Sequence, residues 1–472
     1  MFCKEEEVIR NRLQSVISIV DDVCQISGAP SASVGILHDN KIIFTKGHGT
    51  VAENQPNIKP RQPSPDTVYG IGSITKSLVV ACLAKVRGEG KEAKFEWSTP
   101  MKDLLEGFET DAKIQHMATI SDFLSHRTGL SGDMSIAHQG DQEFLLTKDE
   151  LLPAVTTLDM VGQFRSDWIY NNWGYSLAGL VLEKLSGRSF EECLREYVVK
   201  PLSLCSTTTR PDPYGDFAFA HAALDNGDIY QLPKEIPFHG SIFETAGGIY
   251  TNVNDLLAWA KAILAAEQKL YSGPLKEVLT ILSNRVPLDN PSRDHRFYGY
   301  GWVRTALPDV VGLQGDNAEL FSRDQLPVLG SRTQPMMTYY HQGAGLGYYS
   351  AIFMFPDSNS AVVVLTNSMP LNDVADWIAQ VYITALFQFE DGQSFGQSRD
   401  ISNVVSNNDT KGRNYEENEE QEEDEEQDQG HNNEDGNQNS DNDTDAAIIV
   451  GCGDAQIKVD SNKKDTNTDT DI

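Results

Sequence analysis

Apolar residues recur at helical intervals along residues 4–26, where Val8, Leu13, Val16, Ile17, Ile19, Val20 and Val23 form a broad stripe. The spacing predicts one amphipathic helix. The period then changes. In SASVGILHDNKIIFTKGHG, residues 31–49, two strand-like runs flank the turn pair Asp39-Asn40 and predict a hairpin. YGIGSITKSLVVACLAKV, residues 69–86, carries Gly70 and Gly72 and returns to helical spacing from Leu78 onward. Between about residues 95 and 240, helical patterns and loops dominate, with little strand signal. A further helix is expected at 253–266. Residues 338–368 contain three strand-like runs, the last two separated by the turn Pro356 to Asn359. DVADWIAQVYITALF, residues 373–387, closes the series as a helix.

Strands at both ends and helices between them predict an α+β fold: one antiparallel sheet flanked by helices, plus a separate helical lobe. On this reading residues 1–390 form the catalytic domain. Its sheet lobe spans about 1–90 and 245–390, and its helical lobe about 91–244. A site at the lobe boundary can draw side chains from distant parts of the chain.

Composition changes the picture past residue 391. NYEENEEQEEDEEQDQGHNNEDGNQNSDNDTD has one aromatic residue and no aliphatic one, too little apolar surface to offset ordering entropy. Residues 391–472 are therefore expected to be a disordered acidic tail, whose partner is unknown. Within it, AAIIVGC (446–452) is at most a weak docking segment. Charge divides the same way. Of the formal −31, residues 400–472 carry −17, from 22 acidic and five basic side chains. The rest, 47 acidic against 33 basic, is moderately acidic and lacks the basic clustering of a nucleic-acid surface.

Cys3, Cys24, Cys82, Cys193, Cys205 and Cys452 are dispersed without a C-x-x-C pair, which argues against a disulfide framework or zinc site and fits a reducing compartment. Three glutamates stand where a secretory signal needs a basic start, and no apolar run reaches the roughly 20 residues of a membrane span. The expected location is cytoplasmic, with no membrane partner.

Candidate chemistry begins at Ser73 and Lys76, three apart at the start of an apolar helix. Side chains at i and i+3 share a helix face, so the lysine can help deprotonate the serine if its ammonium is desolvated. Capping by Ser73 and solvation of Lys76 explain the same pair equally well, and S-x-x-K recurs at Ser461 and Lys464 in the tail. In DWIYNNWGYSLAGLVLEKLSG (167–187), Tyr170 and Asn172 precede another apolar helix, which Asn172 is expected to cap if it has no other role. In YYHQGAGLGYYS (339–350), His341 and Gly343 lie on a strand whose glycines mark close approach of a backbone or ligand, or a flexible strand end.

The order of these three elements resembles the serine β-lactamase and penicillin-binding-protein superfamily. More narrowly it resembles the class C β-lactamase-like branch of DD-peptidases, D-aminopeptidases, esterases and acyltransferases. That branch uses S-x-x-K, Y-x-N, and K-T-G or H-x-G, matched here by Ser73-Ile74-Thr75-Lys76, Tyr170-Asn171-Asn172 and His341-Gln342-Gly343. PDTVYGIGSITKS, TISDFLSHRTGL, PLSLCSTT and TAGGIYTNVNDLLAWAKAIL look like the family's connecting stretches, and the resemblance covers about residues 25–388.

The resemblance implies a β-lactamase/transpeptidase-like fold and an acyl-enzyme on Ser73, with no metal or organic cofactor. Lys76 and Tyr170 would share the proton transfers, and Asn172 would bind a substrate carbonyl or amide. The N–H groups of Ser73 and Ala344 would form the oxyanion hole, beside His341 and Gly343. His126 belongs to a structural loop in family terms. Dedicated class C β-lactamases carry lysine where His341 stands, and a histidine of ordinary pKa, about 6.5, is the weaker carboxylate anchor. The reading is a serine hydrolase acting on a small-molecule acyl donor. Its rivals are an acyltransferase of small-molecule biosynthesis and a non-catalytic scaffold that keeps the fold.

Overall fold

The computed structural model describes residues 4–389 apart from 52–60, 90–93, 138–143, 213–214, 225, 233–237, 270–272, 289–295, 324 and 332. The expected acidic tail, Ser461 and Lys464 lie outside the described residues.

Eight strands form one antiparallel sheet: β1 (Ser31–His38), β2 (Lys41–Gly49), β3 (Val286–Pro287), β4 (Phe297–Tyr298), β5 (Val303–Leu307), β6 (Met336–Gly345), β7 (Tyr348–Phe355) and β8 (Ser360–Thr366). Their order is β2-β1-β8-β7-β6-β5-β4-β3, so the N-terminal hairpin pairs with the last strand and the sheet is closed from both ends of the chain. Asp39 and Asn40 both take positive φ (47° and 59°), the conformation a two-residue hairpin needs to follow the strand twist.

The sheet is buried on both faces, and β8 shows it residue by residue. Val362 and Val364 pack into one core, with helices α1 (Lys4–Ser15), α2 (Ile17–Ile26) and α6 (Val374–Phe387); Ala361, Val363 and Leu365 pack into the other. That second core holds α3 (Thr75–Arg87), α4 (Asn172–Ser186) and α5 (Val253–Glu267). The same alternation on β6 sends Tyr339 to the α3 side and Tyr340 to the α6 side. It fixes which of the following residues reach the site.

Two expectations about elements change. The single helix expected at 4–26 breaks at Val16, whose backbone leaves the helical region (φ −96°, ψ 2°), after the Ser15 hydroxyl donates to the Arg12 carbonyl (2.8 Å). The helical lobe also contains a short ribbon, His221–Ala223 paired with Ile229–Gln231. The described cysteines Cys24, Cys82, Cys193 and Cys205 are free thiols. No described helix is long and apolar enough to cross a membrane.

Candidate active site

The nucleophile candidate sits on a 3₁₀ turn, Gly72–Ile74, that runs straight into α3. Gly72 has φ +46°, and a Cβ there would lie 2.6 Å from the Ala344 carbonyl oxygen. A Cβ on Gly343 would lie 2.1 Å from the Ile71 carbonyl oxygen. The two glycines thus let the end of β6 press against the backbone of the Ser73 turn, which brings the Ala344 peptide beside Ser73. The turn is tied down from two more sides. Tyr69–Gly70 pairs with Tyr250–Thr251, and the Ser350 hydroxyl donates to the Ile71 carbonyl (2.9 Å).

Lys76, on the first turn of α3, is fully buried while Ser73 is half-buried. Its Nζ donates to Ser73 Oγ (2.8 Å), Asn172 Oδ1 (2.7 Å) and the Ala246 carbonyl (2.9 Å). The last two partners can only accept. When the amine is neutral, its two N–H bonds stay on them and its lone pair faces the Ser73 hydroxyl. That is the arrangement a general base requires.

Asn172 is free for this role because its neighbour caps the helix. Asn171 Oδ1 accepts from the Gly174 N–H (3.1 Å), and Asn171 Nδ2 donates to the Ser131 carbonyl (2.8 Å). The expected cap at Asn172 is therefore corrected to Asn171. Asn172 Nδ2 donates to the Met134 sulfur (3.2 Å). Tyr170 is half-buried, its ring centroid 4.9 Å from Lys76 Nζ and 4.4 Å from the His126 ring.

His341 differs from expectation. Lying on the Tyr339 side of β6, it points at the site, but its ring is fully buried and both nitrogens are bonded within the protein. Nδ1 faces the Gln342 carbonyl and must carry the proton. Nε2 then accepts from the Tyr298 hydroxyl (2.9 Å). Burial, reinforced by the Lys76 charge, lowers its pKa to about 3. The expectation is a mostly uncharged histidine of ordinary pKa that anchors a carboxylate weakly; in the structure the pKa lies well below ordinary and the ring is a neutral internal acceptor. Gln342, facing the other way, donates to Asp373 Oδ2 (2.7 Å) at the N-cap of α6.

Three further groups complete the site, two of which escaped the sequence. Tyr298 links His341 to His126, whose Nε2 lies 3.3 Å from the same hydroxyl. Burial holds Tyr298 and Tyr175 well above the ordinary phenol range, so both stay protonated. His126, with φ +58°, accepts from the Asn171 N–H (3.1 Å) and packs on Tyr170; burial and the Lys76 charge hold it neutral. It supports the site, as its structural-loop reading implied, from directly behind Tyr170. The Ala246 carbonyl is the third. Tyr298 belongs to no motif and has Phe297 and Tyr300 as equally aromatic neighbours, and a backbone carbonyl has no sequence signature; only the A-G-G of residues 246–248 hinted at a special backbone there.

This arrangement, on an antiparallel sheet with a mostly helical lobe inserted, is the fold of the serine β-lactamases and penicillin-binding proteins. A class C β-lactamase mutant superposes with TM-score 0.59 at 17% identity, over 81% of this chain and 98% of that one. The octameric penicillin-binding protein homologue of Pyrococcus abyssi gives 0.62 at 21%, over 80% and 77%. The chain belongs to the Beta-lactamase family, whose model matches residues 16–385. Among curated relatives, an unguisins hydrolase of Aspergillus campestris is 25% identical over 336 residues, 67% of this chain and 60% of its own length. Penicillin-binding protein 4 of Amycolatopsis lactamdurans is 26% identical over 317 residues, 64% of this chain and 72% of its own. The chain thus spans only about 60% of the first of these relatives.

Proposed function

We propose that this protein is a serine hydrolase that acts through an acyl-enzyme on Ser73, with small esters or amides as substrates. The observation that carries the reading is the buried Lys76 amine, 2.8 Å from Ser73 Oγ and aimed there by two obligate acceptors. In the first half-reaction Ser73 Oγ attacks the acyl carbonyl and its proton passes to neutral Lys76. The charge that develops on the carbonyl oxygen is met by the N–H groups of Ser73 and Ala344. Collapse of the tetrahedral intermediate breaks the ester or amide bond, and the leaving oxygen or nitrogen takes the proton through Lys76 and Tyr170. Asn172 and the Gly343–Ala344 edge of β6 hold the substrate. In the second half water replaces the leaving group, loses a proton to the same relay, and releases the acid.

Hydrolysis is favoured over transfer to an alcohol or amine by the relatives whose names state a hydrolytic activity, an unguisins hydrolase and a D-stereospecific amidohydrolase of Streptomyces. The missing lysine at position 341 favours neutral substrates over β-lactams bearing a free carboxylate. The test is covalent labelling with a fluorophosphonate or a fluorescent penicillin, followed by mass mapping. The adduct is expected on Ser73. An adduct on another serine, or equal labelling of Ser73→Ala, would overturn the mechanism.

A further inference from the structure

Ala246 sits on a single helical turn, Glu244–Gly247, and that turn is anchored by an ion pair between a buried carboxylate and a half-buried lysine. Glu244 is only 2% exposed, and its Oε2 receives Lys148 Nζ at 2.6 Å. Lys148 also bonds Glu183 Oε1 (3.1 Å) on α4, while His239 Nδ1 lies 2.8 Å from the other Glu244 oxygen. Burial disfavours the Lys148 ammonium, yet the two carboxylates outweigh it and raise its pKa. The two segments also meet through the backbone, since Thr147 bridges Ser241. The next residue, Thr245, donates to the Tyr175 carbonyl (2.9 Å). Two residues beyond Glu244, the Ala246 carbonyl meets Lys76.

We infer that Lys148 and Glu244 are positioning residues for the reaction: their ion pair fixes the Ala246 carbonyl on Lys76 and so controls where the base holds its proton. The inference rests on the reading of Ser73 as nucleophile and Lys76 as base. A peptide carbonyl stabilises the ammonium form of Lys76 and, once the amine is neutral, is one of the two anchors that aim its lone pair at Ser73. Tyr170, Tyr175, His126, His341 and Asn172 also face Lys76; of these the two imidazoles are held neutral, Tyr175 stays protonated and Asn172 is an amide. The ion-paired charges near this turn are Glu244, Lys148 and Glu183.

The test is the pH profile of single-turnover fluorophosphonate labelling of Ser73 in the full chain, with E244Q, E244D, K148R and, as control, E196Q at the exposed Lys200 pair. E244Q removes the charge and loosens the turn. Its plateau rate is expected to fall about tenfold or more, and its acid limb to move down by about half a pH unit or more, because the ammonium loses a stabilising acceptor. K148R keeps a cation at Glu244 and should retain the wild-type limb, as should E196Q. A purely structural role for the pair would lower the labelled fraction without moving the limb. An unmoved limb in folded E244Q overturns the inference and leaves the Ser73 reading intact. Should E244Q not fold, E244D decides, since its limb must then lie below the wild-type one. Absence of Ser73 labelling in the wild type overturns the nucleophile assignment and this inference with it.

Discussion

Gly72→Ala isolates the contact that builds the proposed oxyanion hole. The new Cβ meets two costs. At φ +46° an L-residue is strained by about 1–2 kcal/mol. The methyl would also stand 2.6 Å from the Ala344 oxygen and 2.9 Å from both its carbon and its nitrogen, against about 3.5–4.0 Å for a comfortable carbon contact. Neither partner yields easily, because β6 pairs with β5 and β7 while the Ser73 turn is fixed by Ile71 and Ser350. Relief must separate Ser73 from Ala344. Loss of one oxyanion donor costs about 10² to 10³ in kcat, roughly 2.7–4 kcal/mol. Gly107→Ala is the control: its φ is +78° but nothing lies within 4 Å of its Cβ. It should share the strain penalty, about 1–2 kcal/mol by thermal unfolding, and leave activity intact. The assay is kcat/KM for p-nitrophenyl butyrate beside the unfolding midpoint of each variant. If folded Gly72→Ala keeps activity within threefold of wild type, the Ser73–Ala344 assignment is wrong.

Tyr170→Phe should slow acylation by about 10² to 10⁴ while the protein stays folded, measured by stopped-flow with the same ester; normal acylation would remove Tyr170 from the relay. Lowering the pH from 7 to 5 should not improve nitrocefin turnover relative to the ester, because His341, with a pKa near 3, stays neutral throughout. Its folded pKa lies below the ordinary 6.5, so its contribution to stability is present above pH 6.5 and drains away as pH falls toward 3, and His341→Gln should flatten that acid slope in urea melts. Asp376 has the opposite sign. Burial raises its carboxyl, like that of the adjacent Asp373, well above the ordinary carboxylate range, so stability falls as pH climbs through neutrality, and Asp376→Asn should reduce the slope.

Elements with strong periodicity were legible. The Asp39-Asn40 hairpin, the three runs of 338–368 and the helix after Asp373 all appear, because a sheet buried on both faces leaves long apolar runs between turn residues. Elements of two residues, such as Val286–Pro287 and Phe297–Tyr298, carry no period, and with them Tyr298 was lost. Choosing between Asn171 and Asn172 as the cap needed the structure, since adjacent asparagines satisfy the same pattern. Ala246 was invisible as a contributor because its chemistry is a carbonyl that every residue possesses.

His341 shows how a residue type can point to the site and still mislead about its charge. Its motif position and the alternation of β6 put it on the face that looks at α3, and so it lies near Lys76. Burial removes its charge, and that proximity reinforces the effect. Burial disfavours a charged imidazole and the nearby Lys76 charge reinforces it, so His126 and His341 are both held neutral. Each then has one N–H and one lone pair, which the Asn171 N–H, the Tyr298 hydroxyl and the Gln342 carbonyl use in a fixed direction. A lysine at 341 would bring a second ammonium into the same space. It would either compete with Lys76 for its neutral partners or need a substrate carboxylate to offset it. The histidine therefore does more than substitute a weaker anchor for a stronger one: it adds no second charge beside Lys76, in keeping with the proposed preference for acyl groups that bring no charge of their own.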